Sequence, residues 1–112
     1  MSESVSRELL KKIYRGVESI VGDRLREVIL YGSYARGDYD SESDVDIALI
    51  LNLSREEAKL YKERIVEFMS ELSLNNDVLV CISCIPATEF EKYKEDIPYY
   101  RNIDIEGVRL SA

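Results

Sequence analysis

The sequence has no histidine, and this absence removes several classes of site at once. Metal centres built on imidazole, Ser-His or Cys-His catalysis, and imidazole pH switches are all excluded. Whatever chemistry the chain performs must rest on other side chains or on the backbone.

Cysteine is scarce as well, since only Cys81 and Cys84 occur. Both fall in the apolar run 78–85, which predicts a β-strand. Residues three apart on a strand point to opposite faces, so the two thiols are badly placed to share a metal ion or to form a disulfide. A zinc site would also lack its other two ligands. Buried structural cysteines are therefore expected.

Long apolar runs are missing, because no stretch approaches the ~18–20 residues that a membrane helix requires. The residues from Met1 to Ser4 lack the charged and apolar segments of a signal peptide. We therefore expect no membrane association, and a cytoplasmic location is the default expectation.

Positive charge is in deficit, with 15 Lys and Arg against 22 Asp and Glu and a formal net charge of −7. A long nucleic-acid backbone requires a cationic face, so direct binding of long RNA or DNA is not expected. A single nucleotide remains compatible with this charge, since metal ions can neutralise a phosphate beside carboxylates.

The length of 112 residues, with 46% hydrophobic and 33% charged residues, predicts one globular domain over residues 1–112. Hydrophobic periodicity and turn residues predict the following elements. Helices are expected at 4–21, 55–72 and 89–97, strands at 26–31, 44–51 and 77–85, and a loop at 32–42 with one helical turn at 33–36. The link between the first two strands is short for a parallel crossover. The fold class is therefore α/β, a three-stranded mixed core sheet flanked by helices.

Local signals place several element ends and faces. Ser4 or Ser6 is expected to cap the first helix, Gly22 to end it, and Thr88 to cap the last. Ser54 with Glu57 matches a capping box. The middle helix is expected to bury Leu60, Ile65, Phe68, Met69 and Leu72. On the second strand, alternation places Val45, Ile47 and Leu49 on one face and Asp44, Asp46 and Ala48 on the other.

Two segments at strand ends carry the candidate site. Gly32 and Ser33 follow the first strand, and ten residues later Asp44 and Asp46 open the second. Glycine lets the backbone approach a phosphate, while the serine hydroxyl and nearby amides can bond its oxygens. Two carboxylates on one face of a strand supply hard oxygen ligands for Mg²⁺. The pattern predicts a site for a nucleoside triphosphate held through magnesium. Arg36 is either a phosphate ligand or a solvated loop arginine.

The segments Leu30-Tyr31-Gly32-Ser33-Tyr34-Ala35-Arg36-Gly37 and Ser43-Asp44-Val45-Asp46-Ile47 carry a resemblance to a known family. They resemble the DNA polymerase beta-like nucleotidyltransferases, and among them the minimal, MNT or MntA-type antitoxins. The tail Pro98-Tyr99-Tyr100-Arg101-Asn102-Ile103, with Glu106-Gly107-Val108, is similar to this group's ending. The resemblance implies Mg²⁺-dependent transfer of AMP from ATP, with Asp44 and Asp46 as metal ligands and catalytic residues.

The resemblance also implies a partner and a third carboxylate. MNT proteins are commonly paired with a HEPN-family RNase toxin, which family members silence by adding AMP to one of its tyrosines. The third carboxylate of the superfamily, a metal ligand or general base, lies on the neighbouring strand. Asp77 is the candidate here, either in that role or as a plain turn residue. The family position falls instead at Cys81 or Ser83 if it lies within the strand, and the carboxylate is then absent.

Other interpretations stay open at this point. A catalytically weak module of the same fold could neutralise its partner by binding alone, and the doubtful third carboxylate favours that alternative. Transfer to a small molecule is less compatible with the absence of a second domain. A homodimer and a hetero-oligomer with the toxin are both compatible with the sequence. The tyrosines at 93, 99 and 100 either pack on the sheet or form a partner-binding patch.

Overall fold

The computed structural model describes residues 7–111, which form four strands and six helices. The strands are β1 (Leu25–Tyr31), β2 (Val45–Leu51), β3 (Val80–Pro86) and β4 (Val108–Arg109). The helices are α1 (Arg7–Val21), α2 (Ser33–Arg36), α3 (Arg55–Ala58), α4 (Lys62–Asn76), α5 (Ala87–Tyr93) and α6 (Pro98–Glu106). Short 3-10 turns at Gly22–Arg24 and Lys59–Tyr61 precede β1 and α4.

The strands form one mixed sheet in the order β3-β2-β1-β4. β1 runs antiparallel to both β2 and β4, whereas β2 and β3 are parallel. The predicted α/β fold with a mixed sheet is confirmed, with β4 as an addition. β4 was not predicted from the sequence, because a strand of two exposed residues shows no hydrophobic periodicity.

Helices cover both faces of the sheet. One face packs on α1 and α4, where Val45, Ile47 and Leu49 of β2 join the same buried cluster as Ile13 and Ile65. The opposite face packs on α5 and α6 through a second buried cluster. That cluster comprises Ile29, Ala48, Ile50, Ile85, Ala87, Phe90, Tyr100 and Ile103. The alternation predicted for β2 is confirmed, and β2 is the buried centre of the molecule.

The connection from β2 to α4 confirms one prediction and overturns another. The Ser54 hydroxyl accepts a bond from the Glu57 amide, and the Glu57 carboxylate accepts one from the Ser54 amide, which completes the capping box. The single helix predicted from 55 is instead broken by the 3-10 turn at Lys59–Tyr61. This turn changes the helical phase, so the prediction that Leu60 is buried is wrong: its side chain is 78% exposed. Of the other predicted core positions, Ile65 and Leu72 are buried, and those at 68 and 69 are partly buried.

The α4–β3 junction also differs from the prediction. α4 continues to Asn76 rather than ending near residue 72, and Asp77 then turns the chain with φ 51°. β3 begins only at Val80. The prediction that Asp77 lies in the third strand is therefore wrong, because its left-handed backbone conformation is that of a helix end.

The last third of the chain contains two helices where one was predicted. α5 begins at Ala87 directly after Pro86 and carries no side-chain cap, so the expected Thr88 cap is wrong. Pro98 occupies the first turn of α6, a position that tolerates proline. The expected caps Ser4 and Ser6 lie outside the described residues. No helix among residues 7–111 combines the length and apolarity needed to cross a bilayer.

Candidate active site

Gly32 shapes the turn between β1 and α2. Its backbone angles, φ 76° and ψ −156°, lie in a region that is essentially reserved for glycine. A side chain here would also collide with Oδ2 of Asp46. Gly32 therefore has both a positive φ and a close neighbour, and that neighbour is one of the two predicted metal-binding carboxylates.

The one-turn helix predicted at 33–36 is present as α2. The Gly32 carbonyl accepts bonds from the amides of Ala35 and Arg36, each at 3.1 Å, and the Gly37 amide donates to the Ser33 carbonyl at 2.9 Å. Gly37 ends the turn in a left-handed conformation with φ 87°. Ser33 therefore begins α2 directly beside the glycine that contacts Asp46.

Asp44 and Asp46 lie at the start of β2. Asp44 directly precedes the strand, and Asp46 is the cross-strand partner of Tyr31, the last residue of β1. Burial raises the pKa of Asp46, the negative charge of Asp44 raises it further, and Arg36 opposes both effects. The structure thus brings the two predicted carboxylates and the predicted phosphate-binding arginine within electrostatic reach of one another.

Arg36 is already paired with acids. Its Nε donates to Oδ2 of Asp38 at 3.1 Å, and one terminal nitrogen lies 3.7 Å from Oε1 of Glu106. Glu106 ends α6, so this contact connects the site turn to the layer formed by α5 and α6. A phosphate that bound Arg36 would compete with these exposed carboxylates.

Asp77 terminates α4, and it lines a cavity of about 370 Å³ together with Asp44 but not with Asp46. Within the described part of the chain, no three Asp, Glu, Cys or His side chains are grouped so that they could share a metal ion. The catalytic and metal-binding role of Asp77 stays a prediction.

The register of the parallel strands shows which residue faces the carboxylates from β3. Cys81 pairs with Asp46, whereas Ser83 pairs with Ala48 one step further. Burial raises the pKa of the Cys81 thiol, and the charges of Asp44 and Asp46 add to the effect. Of the two positions considered for a third carboxylate within the strand, Cys81 is therefore the one beside the pair.

The two cysteines do point to different surroundings, as predicted. Cys84 packs against the cluster shared with α1 and α4, and burial alone raises the pKa of its thiol. Both residues are half-buried rather than fully buried, because β3 is an edge strand of the sheet.

Tyrosines border the site in a way that the sequence motif did not indicate. The Tyr31 hydroxyl lies 3.0 Å from the Tyr99 hydroxyl, and the two rings meet edge to face. Burial raises the pKa of Tyr31, followed by the Tyr99 hydrogen bond, and Asp46 adds to the effect. Of the tyrosines at 93, 99 and 100, only Tyr100 is buried. The signal available in the sequence was the position of Tyr31, which directly precedes Gly32.

Comparison with known proteins connects this geometry to a family. The model of the family described as a nucleotidyltransferase domain matches residues 10–110. Two proteins of Methanocaldococcus jannaschii that share the name "Putative protein adenylyltransferase" are similar to the chain. One is 42% identical over 74 residues, covering 65% of this chain and 72% of that protein. The other is 31% identical over 98 residues, covering 88% and 83%.

Two solved structures that share this fold are of toxin–antitoxin proteins. A crystal structure of a toxin-antitoxin with AMP-PNP superposes with a TM-score of 0.60 at 19% identity. A mutant of the toxin-antitoxin MntA-HpeT superposes with a TM-score of 0.57 at 17% identity. Each match covers 92% of this chain and 73% of the other. At these identities the likeness establishes the shared fold.

Proposed function

Since this chain belongs to the nucleotidyltransferase family, we propose that it is a protein adenylyltransferase that transfers AMP from Mg²⁺-ATP to its partner protein. The acceptor proposed is a tyrosine of a HEPN-family toxin, which makes the chain the antitoxin of the pair. The observation that carries the proposal is the contact of the Asp46 carboxylate with Gly32, beside Asp44 and within reach of Arg36.

The donor set suits a divalent cation. Asp44 and Asp46 are neighbouring hard oxygen donors. Burial and the negative charge of Asp44 raise the pKa of Asp46, and a cation bound by both carboxylates would offset these effects. These two side chains would hold Mg²⁺. When bound, the ion neutralises phosphate charge and stabilises the pyrophosphate that leaves.

The chain's own groups bind and orient the nucleotide. Gly32 permits the backbone to approach the triphosphate, because a Cβ there would occupy space next to Asp46. Ser33 and the start of α2 supply a hydroxyl and amides, and Arg36 supplies a charged donor. In the transfer, the acceptor oxygen bonds to the α-phosphorus while the bond from that phosphorus to the bridging oxygen breaks. Pyrophosphate leaves, and the acceptor's proton passes to a carboxylate or to water.

Two comparisons support a protein acceptor and a toxin partner. Both archaeal relatives are named as protein adenylyltransferases. One structural neighbour is a toxin-antitoxin with AMP-PNP, and the other is a variant in which two aspartates, two positions apart, are changed to glutamate. That spacing equals the spacing of Asp44 and Asp46.

The proposal is tested by incubating the chain with labelled ATP, Mg²⁺ and the HEPN-family toxin proposed as its partner. We expect label on a toxin tyrosine, and we expect the variant with Asp44→Asn and Asp46→Asn to lose it. Asp23→Asn is the matched control, because Asp23 is an exposed acid before β1, at the opposite end of that strand from Asp46. The absence of label from the wild-type reaction, under conditions where an active relative labels its own partner, would refute the proposal.

A second candidate is neutralisation by binding without transfer. Its support is that residues 7–111 contain no group of three acidic or thiol side chains able to share a metal ion. If the double aspartate variant still neutralises the toxin as the wild type does, neutralisation is by binding alone. Loss of neutralisation with retained fold and retained toxin binding assigns it to catalysis.

A further inference from the structure

A groove follows the outer edge of the sheet between α4 and β3. Three cavities of about 390, 440 and 370 Å³ open along this edge. The first and second share Met69, and the second and third share Ser73, Leu74 and Leu79. They therefore form one continuous groove, which we call the edge groove. It extends from Arg55 at one end to Asp44 at the other.

The backbone edge of β3 inside the groove is already occupied. The Val80 amide donates to the Ser73 hydroxyl at 3.0 Å, and the Ile82 amide lies 3.3 Å from the Met69 sulfur. Pro86 has no amide hydrogen to offer. A partner strand would find two main-chain donors of β3 taken and a third missing at Pro86, so pairing through this edge is disfavoured. An occupant of the edge groove would therefore dock mainly through side chains.

The groove is lined by apolar side chains that remain in contact with solvent. Leu74 is 84% exposed, Leu79 54% and Val66 44%. They occur on both walls, since Val66 and Leu74 belong to α4 while Leu79 directly precedes β3. Exposed apolar surface that is continuous in this way marks an interaction site.

Charge divides the groove into two ends. Lys59 and Lys62 lie at the end formed with α3, in a chain that is otherwise strongly acidic. Glu42, Asp44 and Asp77 lie at the other end. An occupant complementary to both ends is acidic near the lysines and basic or neutral near the aspartates.

The acidic end adjoins the candidate active site at Asp44. Asp44 lines the third cavity, and Cys81, which feels the charges of Asp44 and Asp46, lines the second. A polypeptide lying in the groove would thus place one of its residues at the transferred phosphate. The seven residues of β3 span roughly 23 Å, which a helix of about 15 residues also spans.

We propose that the edge groove holds an amphipathic helix of the acceptor protein. Its apolar face covers Val66, Leu74 and Leu79, its acidic end meets Lys59 and Lys62, and its acceptor residue lies beside Asp44. The proposal rests on the proposed function for the transfer step, whereas docking itself requires no nucleotide.

The test uses the full chain and two synthetic amphipathic helices of about 15 residues with identical composition. Each carries leucines along one face and one tyrosine at the same position. In the first peptide glutamates occupy one end and lysines the other, with the tyrosine near the lysine end. In the second peptide glutamates and lysines alternate along the polar face, so that neither end matches the charge of the groove. We expect fluorescence anisotropy to show about tenfold tighter binding of the first peptide, and labelled ATP with Mg²⁺ to mark its tyrosine preferentially.

Matched variants distinguish binding in the edge groove from non-specific hydrophobic binding. Leu74→Glu and Leu79→Glu are expected to weaken binding of the first peptide about tenfold or more, because each places a charge in the apolar groove. Lys62→Glu is expected to reduce the preference for the first peptide. Ile105→Glu is the control, since Ile105 is a 67% exposed apolar residue on α6 outside the groove. It should bind the peptide as the wild type does.

Failure of this proposal is distinguishable from failure of the proposed function. Calorimetry of Mg²⁺-ATP binding reports on the nucleotide site alone. Suppose that Mg²⁺-ATP binds but the two peptides bind equally, or that Leu74→Glu and Leu79→Glu leave peptide binding unchanged. Either result refutes docking in the edge groove and leaves the proposed adenylyltransferase function intact. Groove-dependent peptide binding without nucleotide uptake or label supports docking and overturns the transfer.

Discussion

At the scale of single residues, the site depends on the missing side chain of Gly32. We expect Gly32→Ala to lower the stability by about 1–3 kcal/mol, because an alanine would be strained at φ 76° and its Cβ would collide with Asp46. Displacement of the carboxylate should also weaken Mg²⁺-ATP binding at least about tenfold. Urea unfolding and calorimetry measure the two effects.

Gly37→Ala is the matched control for that substitution. Gly37 also has a positive φ, 87°, but nothing lies near its hypothetical Cβ. This variant should lose comparable stability and keep most of its nucleotide affinity. Equal nucleotide binding by Gly32→Ala and the wild type would contradict the importance assigned to the Asp46 contact.

Cys81 gives a second prediction at the residue scale, because strand pairing places it beside Asp46. We expect Cys81→Asp to raise the rate of AMP transfer about tenfold or more, since a positioned carboxylate contributes as general base or metal ligand. Without metal, the added negative charge should lower the melting temperature, and Mg²⁺ should restore it. Labelled transfer and thermal unfolding with and without a chelator measure both.

The control for Cys81→Asp is Cys84→Asp. Cys84 packs against the opposite, apolar layer, so a carboxylate there should destabilise the fold without a gain in rate. Asp77→Asn adds a further comparison. If transfer by Asp77→Asn falls sharply while Cys81→Asp gains nothing, the third carboxylate is Asp77 and the assignment to the β3 position is wrong.

At the scale of secondary-structure elements, one cluster ties three helices together. Glu89 of α5 accepts bonds from Arg55 of α3 and from the Tyr100 hydroxyl of α6. The hydrogen bond from Arg55, followed by that from Tyr100, lowers the pKa of Glu89 below its ordinary value of 4.5. The stabilisation is present above that value and is lost as the pH falls through the lowered one.

We therefore expect Glu89→Gln to lower the unfolding free energy by about 1 kcal/mol at neutral pH, a size typical of partly exposed charged pairs. The difference from the wild type should shrink as the pH falls below 4.5. Urea unfolding across this range measures it. Glu56→Gln, which removes an exposed pair with Lys59, should have no measurable effect. Equal losses of unfolding free energy in the two variants at neutral pH would contradict the stabilising role assigned to the cluster around Glu89.

The secondary-structure elements show which parts of the fold could be predicted from the sequence and which could not. β1, β2 and the turn at 33–36 were predictable, because a buried strand and a glycine turn each leave a local pattern. Leu60 was not, since the 3-10 turn that exposes it depends on how α3 and α4 meet the sheet. α6 was hidden because Pro98 reads as a break, although proline is also compatible with the first turn of a helix.

The candidate site likewise has a part that could be predicted from the sequence and a part that could not. Asp44, Asp46 and Gly32 were found from their spacing, and the structure brings them together. Their surroundings were beyond the sequence, because Cys81, Tyr99 and Glu106 reach them only through strand register and helix packing.

At the scale of the whole molecule, the charge of the candidate site lowers the unfolding free energy of the fold. The pKa of Asp46 is raised above its ordinary value of 3.8, so the folded state holds this proton more tightly than the unfolded chain does. The contribution of Asp46 to stability therefore falls as the pH rises through the raised value, and the full penalty persists above it. The net charge of −7 acts in the same direction at neutral pH.

Asp46→Asn should accordingly melt at a higher temperature than the wild type at neutral pH without ligand, and the difference should shrink below pH 3.8. Saturating Mg²⁺-ATP should reverse the order. Ligand at about 100 times its dissociation constant adds about 2.7 kcal/mol to a binding-competent fold and nothing to a variant that cannot bind. Thermal unfolding of both proteins with and without Mg²⁺-ATP measures this reversal of the order of melting temperatures. Asp23→Asn is the control, and its melting temperature should follow that of the wild type. If Asp46→Asn were less stable than the wild type without ligand, the Asp46 carboxylate would stabilise the fold. The idea that this carboxylate lowers stability in exchange for nucleotide binding would then be wrong.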